Sequence, residues 1–367
     1  SNGGTVTCST NDVTGVAGIG NTGLTINVDP AVSVTTAGDT LSLGNGTVNI
    51  GANATIESTG AIAIRTGAGT TNITIGNGAD LISSGQGIFY DAGGGTGSVV
   101  FGNNTSLTSG SGTSIQFGVA RGQLTITDTT TISVAVNTGD AGNTSFTHND
   151  PNGSTLDTTR FTDKYFGFEE FTKGGTGATT LSGGEEKNWS ITAGRLIASE
   201  DTLLNAALSG GAILEFNNVD GTYASNVSGA GTWESNNESS LSISGNNSGF
   251  TGTYDIDTNN NVTFADANAV GGASNIGINQ STFTFGSAFN LVNNITIGAQ
   301  DATIDTGAFN AANEWLTRDT DSNSSANYTL THDAVGNMTD DGKDYTYVYD
   351  AFGRLVTVKT RGGGATV

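Results

Sequence analysis

Asp255-Ile256-Asp257-Thr258-Asn259-Asn260, with Asp266 at the twelfth place, carries oxygen side chains at the spacing of a calcium-binding loop. Carboxylates and amides so spaced can surround a hard cation. No helical pattern flanks this stretch, however, and its last place holds Asp where a bidentate Glu is wanted. We read it as a strand, a solvated Asn tip and a second strand, with a loose Ca2+ site as the alternative. Asp319-Thr320-Asp321-Ser322-Asn323 matches less well, because Leu330 stands at its twelfth place.

The other reactive residue types are scattered. The chain has two histidines, His148 and His332, neither of them near a Gly-x-Ser-x-Gly or any other nucleophile pattern, so no Ser/His/Asp triad is assigned. Chains that cleave polysaccharide gather several Asp with a Lys or Arg on one face; Arg65, Arg121 and Arg195 read as isolated among Thr and Gly. Gly93-Gly94-Gly95-Thr96-Gly97 lacks the Lys and the following helix of a phosphate cradle. Asp150-Pro151-Asn152-Gly153 is a type I turn by its first and last residues. No catalytic, cofactor-binding or metal-binding residue is therefore expected.

What must position these residues is an all-β chain. Of 367 residues 56 are Gly and only 2 are Pro, yet apolar residues alternate with Thr, Asn, Ser or Ala through nearly every stretch. Leu24-Thr25-Ile26-Asn27-Val28, Asn72-Ile73-Thr74-Ile75 and Gln123-Leu124-Thr125-Ile126 each bury one face and wet the other. Turns such as Gly44-Asn45-Gly46 and Gly76-Asn77-Gly78 follow at intervals too short for a crossover helix. A β-sandwich of hairpins and a parallel β-helix both fit. The β-helix is preferred, because the spacing persists without the long connections of a Greek key and because Asn and Thr on successive coils can stack.

Charge narrows the partners. A net charge of −22, from 34 acidic against 12 basic residues, repels phosphate backbones and anionic headgroups, which argues against nucleic acid and membrane surfaces. No apolar run reaches the ~18 residues that span a bilayer. A lone cysteine, Cys8, cannot form an internal disulfide, so ladders and packing must hold the chain. The opening Ser-Asn-Gly-Gly carries no secretion signal, as expected of a processed product.

One stretch organises the whole. In Phe171 to Leu196, Gly175-Thr176-Gly177 is answered by Gly229-Ala230-Gly231-Thr232, and Thr180-Leu181-Ser182-Gly183 by Leu241-Ser242-Ile243-Ser244-Gly245. Lys173-Gly174-Gly175-Thr176-Gly177 through Gly183, followed by Trp189-Ser190-Ile191-Thr192-Ala193-Gly194-Arg195-Leu196, resembles the passenger-associated repeat of autotransporters and related surface proteins. Glu185-Glu186-Lys187 departs from that family's turn. The resemblance covers about 171–310 and holds only in style over 1–145. It implies a right-handed parallel β-helix, secreted and displayed outside the cell.

A second resemblance begins near Asn313. Thr331-His332-Asp333-Ala334-Val335-Gly336-Asn337-Met338 and Tyr347-Val348-Tyr349-Asp350-Ala351-Phe352-Gly353-Arg354-Leu355 are similar to two YD repeats of the Rhs family. The physics is legible without the family: Tyr345, Tyr347 and Tyr349 alternate on one strand, Asp350 and Gly353 bound a type I turn, and Leu355 to Val358 return as the partner. Two such repeats are too few to enclose a toxin. The family's self-cleaving aspartate motif has no match after Val358, and Asp150-Pro151-Asn152-Gly153 lies upstream, so no proteolysis is assigned.

The division expected is β-helix coils over 1–145, an aromatic-rich insertion over 146–170, passenger-type coils over 171–312 and a YD-type hairpin module over 313–367. The insertion gathers Phe146, Phe161, Tyr165, Phe166 and Phe168 next to Phe171, and is read as a loop or short helix that covers one side of the solenoid. A sugar-binding aromatic patch is the alternative there. The function expected is a secreted, non-catalytic, structural or adhesive protein that pairs with copies of itself and engages cell-surface glycans. Two alternatives remain: a polysaccharide-binding or polysaccharide-cleaving β-helix, and a fragment of a larger toxin or autotransporter.

Overall fold

A computed structural model describes residues 3–139, 144–287, 291–298, 302–305, 317–318, 328–333, 336–350 and 352–361. Apolar alternation produces strands, and Gly/Asn turns return each one beside its equivalent a coil later. The result is a parallel β-solenoid of about 13 turns, followed by a small antiparallel sheet. At ~4.8 Å per strand step the stack makes a rod on the order of 60 Å long. Coil length varies: stacked asparagines stand 22 residues apart at Asn27/Asn49, 17 at Asn188/Asn205 and 20 at Asn217/Asn237.

Each early coil has three faces. The first runs from Thr5–Cys8 through Leu24–Val28 and Gly46–Ile50 to Val227–Gly229. The second runs from Ser33–Thr36 to Thr131–Ile132, and the third from Val16–Gly18 to Tyr165–Phe166. A new eight-stranded sheet then begins at Ser154–Asp157 and ends at Asn294–Ile297. A five-stranded sheet accompanies it from Asp220–Tyr223 to Thr303–Asp305. One continuous apolar interior links Cys8 to Phe285.

The stretch read as an insertion is itself a coil of the stack. Ser145–Asn149 pairs in parallel with Leu124 and its neighbours below and with Glu170–Gly174 above, while Tyr165–Phe166 pairs with Val136 and Asn137. Its aromatics are bulky interior residues of that coil. Phe146 meets the rings of Phe161, Tyr165 and Phe168 at 5.0, 5.1 and 5.7 Å, and Phe161 rides inward on a one-turn helix, Arg160–Asp163. Only Phe166 stands exposed, so no aromatic platform for a sugar exists at this coil among the described residues.

The internal repeat holds at one corner and fails at the next. Gly175 and Gly229 both turn the chain off the first face with positive φ, 70° and 93°, where an added Cβ would lie 2.3 Å and 2.0 Å from a backbone oxygen of the preceding coil. Leu181, however, lies on Ala178–Ser182 of the eight-stranded sheet, whereas Leu241 lies on Ser240–Ile243 of the five-stranded sheet. The departing Glu185-Glu186-Lys187 turn coincides with a bulge: Lys187 pairs with Leu203, and Asn188 then pairs with Asn205.

After the solenoid, Thr331–His332, Met338–Asp340, Tyr345–Tyr349 and Leu355–Thr360 form an antiparallel sheet, as the alternating tyrosines and the Asp350 to Gly353 turn require. Gly353 N donates to Asp350 O at 3.0 Å and closes that turn.

Phe146 fills the interior where the cross-section changes, and its truncation leaves a void bounded by four other rings. Phe146→Ala is expected to cost about 3–5 kcal/mol, read as a lowered urea midpoint; Val100→Thr, on the exposed side of the same face, should leave that midpoint unchanged.

Candidate functional site

Two polar residues interrupt an interior column that is otherwise apolar. Stacking from coil to coil runs Cys8, Val28, Ile50, Ile75 and, further along, Ile126, His148, Lys173, Ile191 and Leu208. His148 is 3% exposed and Lys173 is fully buried. Both sit inside because strand alternation fixes the direction in which each side chain points.

Their burial is compensated at the corner that follows. Asp150 is fully buried; its Oδ1 accepts from Asn152 N at 3.0 Å and Gly153 N at 2.6 Å, and its Oδ2 from Ser154 Oγ at 2.6 Å and Thr179 Oγ1 at 3.1 Å. His148 Nδ1 lies 3.2 Å from Thr179 Oγ1. The threonine proton is committed to Asp150, so His148 presents an Nδ1–H to the hydroxyl oxygen. Lys173 Nζ donates to the carbonyls of Gly174, Gly175 and Ala193 at 2.5, 3.1 and 3.4 Å. Asp150-Pro151-Asn152-Gly153 is thus a turn, as expected, whose Asp also faces a buried cation.

The titrations follow from this geometry. Burial pushes the His148 imidazole below its ordinary value; the Lys173 charge adds to this, while Asp150 and Asp128 oppose it. Burial works against ionised Asp150, but the hydrogen bonds from Ser154, Gly153, Asn152 and Thr179 outweigh it and hold that carboxyl low. Burial lowers Lys173, with Asp150 opposing.

Arg195 is not isolated. Parallel register puts Glu215, Glu234 and Asp255 in one outward column on successive strands, and Arg195 Nη1 reaches the Oε2 atoms of both glutamates. Asn217 Nδ2 donates to Glu215 Oε1 at 2.7 Å. Burial, then the charges of Glu234 and Asp257, push the Asp255 carboxyl above its usual value, although the residue stands exposed. The signal was present in the sequence as acids one coil length apart; it becomes visible only once the coil length is known.

The cation-loop reading fails by geometry. Asp255 lies on Thr253–Asp257, whereas Asp266 caps the helix Ala267–Val270 by accepting from Ala269 N at 3.0 Å. The tip is half-buried rather than solvated: Asn259 is exposed, but Asn260 is 2% exposed, with its Nδ2 on the carbonyls of Ser235 and Asp257 and its Oδ1 accepting from Ser239 N at 2.6 Å. Among the described residues no group of three or more His, Cys, Asp or Glu converges as a cation requires. The Asp319 to Asn323 stretch lies outside the described residues.

The other candidates are dispersed. Arg65 pairs with Asp91 at 3.3 Å and Asp39 at 3.8 Å, and its guanidinium lies 5.3 Å from the Phe89 ring centroid. Arg121 is exposed and forms no ion pair among the described residues. Gly93 to Gly97 bend one long strand from the third face to the first. Their role is close approach, since a Cβ on Gly95 would lie 2.1 Å from the Gly69 carbonyl carbon. His332 pairs with Met338 on the C-terminal sheet.

Fold and side chains together define a parallel β-solenoid with internal ionic clamps. No protein-family model, curated protein or solved structure matches this chain.

Two stability measurements test these assignments. Arg195→Ala leaves the buried Glu215 without its partner and is expected to cost about 3 kcal/mol at pH 7, read as a lowered urea midpoint. Asp255 has a raised folded value, so its charged form is a liability above the ordinary carboxylate range. Asp255→Asn should therefore raise the melting temperature at pH 7 and lose that advantage at pH ~3.

Proposed function

We propose that this chain is a structural rod of the cell exterior that associates with copies of itself through its ends, as a fibre subunit or an adhesin passenger. The distribution of exposed apolar side chains is the observation that carries this reading. On the long flanks the exposed large apolar residues, Ile82, Val100, Phe166 and Leu204, show 37–39% of their surface. Val13 of the first coil shows 80%, Val292 of the last 90%, and Phe352 of the C-terminal sheet 84%.

Backbone pairing supports the same direction. Among the described residues, Thr5–Cys8 pairs only with Leu24–Val28 and Asn294–Ile297 only with Asn275–Asn279, so each terminal strand offers a row of donors and acceptors. The Tyr345–Tyr349 and Leu355–Thr360 hairpin of another copy, seated on the open end, would cover such a row. The flanks carry polar ladders instead, such as Asn49 Nδ2 to Asn27 Oδ1 at 2.9 Å. With a net charge of −22 they repel one another side by side.

A polysaccharide-binding or polysaccharide-cleaving reading draws on the Arg195, Glu215, Glu234 and Asp255 column. Its test is reducing-sugar release from acidic and neutral polysaccharides, compared between the native chain and Glu234→Gln.

Electron microscopy at micromolar concentration tests the structural reading. Filaments with an axial repeat near one solenoid length are expected, and deletion of 313–367 should abolish them. Single rods under all conditions, or a truncated chain that polymerises unchanged, would overturn this function.

A further inference from the structure

The second face of the solenoid is interrupted at one place. Thr131–Ile132 pairs only with Ser106–Ser109, and Ser154–Asp157 only with Ala178–Ser182, so no ladder joins the two sheets there among the described residues. Among the described residues, strand ladders tie the coil that starts at Ser145 to the coils before it through the first and third faces alone. The interior polar cluster lies in this same coil and the one that follows.

We propose that residues 145–182 form an acid-sensitive joint of the solenoid, held shut by the neutral His148, Thr179, Asp150 and Lys173 cluster and opened when His148 takes a proton. His148 and Lys173 are direct partners on adjacent strands, ~4.8 Å apart along the stack. At neutral pH the cluster holds one ammonium and one carboxylate, with the imidazole uncharged.

A proton on His148 adds a second cation beside Lys173 at a buried position, where like charges interact strongly. Asp150 is the one fully buried carboxylate in the cluster, and its four hydrogen bonds fix it toward Thr179 and its own turn. Asp128, the other carboxylate facing His148, has its Oδ1 buried with no hydrogen-bond partner among the described residues; the pull of both carboxylates on the imidazolium is outweighed by burial, to which Lys173 adds. An opened joint hydrates His148 and restores its ordinary basicity.

The direction follows. The closed form holds His148 below its ordinary value of ~6.5, so the joint keeps full stability above that pH and loses it as pH falls beneath. Asp150 adds a loss of the same sign only below ~3.8, which separates the two groups.

Hydrogen exchange of the full chain, resolved by segment and corrected for intrinsic rates, tests this between pH 7.5 and pH 5. Opening of 145–182 should rise by up to roughly tenfold per pH unit below the ordinary histidine value, while 24–109 and 213–285 stay unchanged. His148→Gln keeps a donor for Thr179 without the titration and should abolish the rise. Lys173→Met removes the like charge and should reduce it. An acid response equal in all coils, or one that persists in His148→Gln, overturns the joint; should either variant fail to fold, the contrast between segments in the native chain decides alone.

Discussion

Everything in this molecule depends on the parallel hydrogen-bond ladder between successive coils. A parallel pair requires each strand to lie in register with the one a full coil before it, and every backbone donor not paired within a turn must find its partner there. Register is therefore inherited along the rod. Where coil length changes, the difference is taken up at corners, as at the Lys187/Asn188 bulge, and the faces run on.

The same inheritance turns sequence neighbours into separate columns and distant residues into stacks. Inward columns are apolar and give the continuous interior, while outward columns are polar. Two departures follow one rule, that a charge displaced from water must be paired. Lys173 and His148 occupy inward positions and are met by Asp150, Thr179 and three carbonyls. Glu215, outward but covered by its neighbours, is met by Arg195. Buried asparagines serve the backbone in the same manner: Asn247 accepts from Val227 N at 2.7 Å and donates to Ala269 O at 2.6 Å, and so clamps one coil to the next.

The aromatic coil shows why composition misleads locally. Phe146, Phe161, Phe168 and Phe171 lie so close in the chain that they suggest an excursion from the stack, yet all four lie inside it, where the cross-section changes and needs bulk. The acidic loop misleads in the opposite sense. Asp255 and Asp266 have cation-loop spacing in sequence, but a corner separates them: one joins the acidic column, and the other caps a one-turn helix.

Alternation at period two and the density of Gly/Asn turns determined, from the sequence alone, an all-β chain of short strands with a C-terminal hairpin, and favoured a solenoid over a sandwich, because which face of a strand is buried is a local property. The tertiary structure alone decided which coil positions share a column. That choice depends on the length of every intervening corner, summed coil by coil, and no local pattern encodes it. Hence Arg195 read as solitary until Glu215 and Glu234 came to lie beside it, and His148 read as a stray histidine until Lys173 was stacked above it.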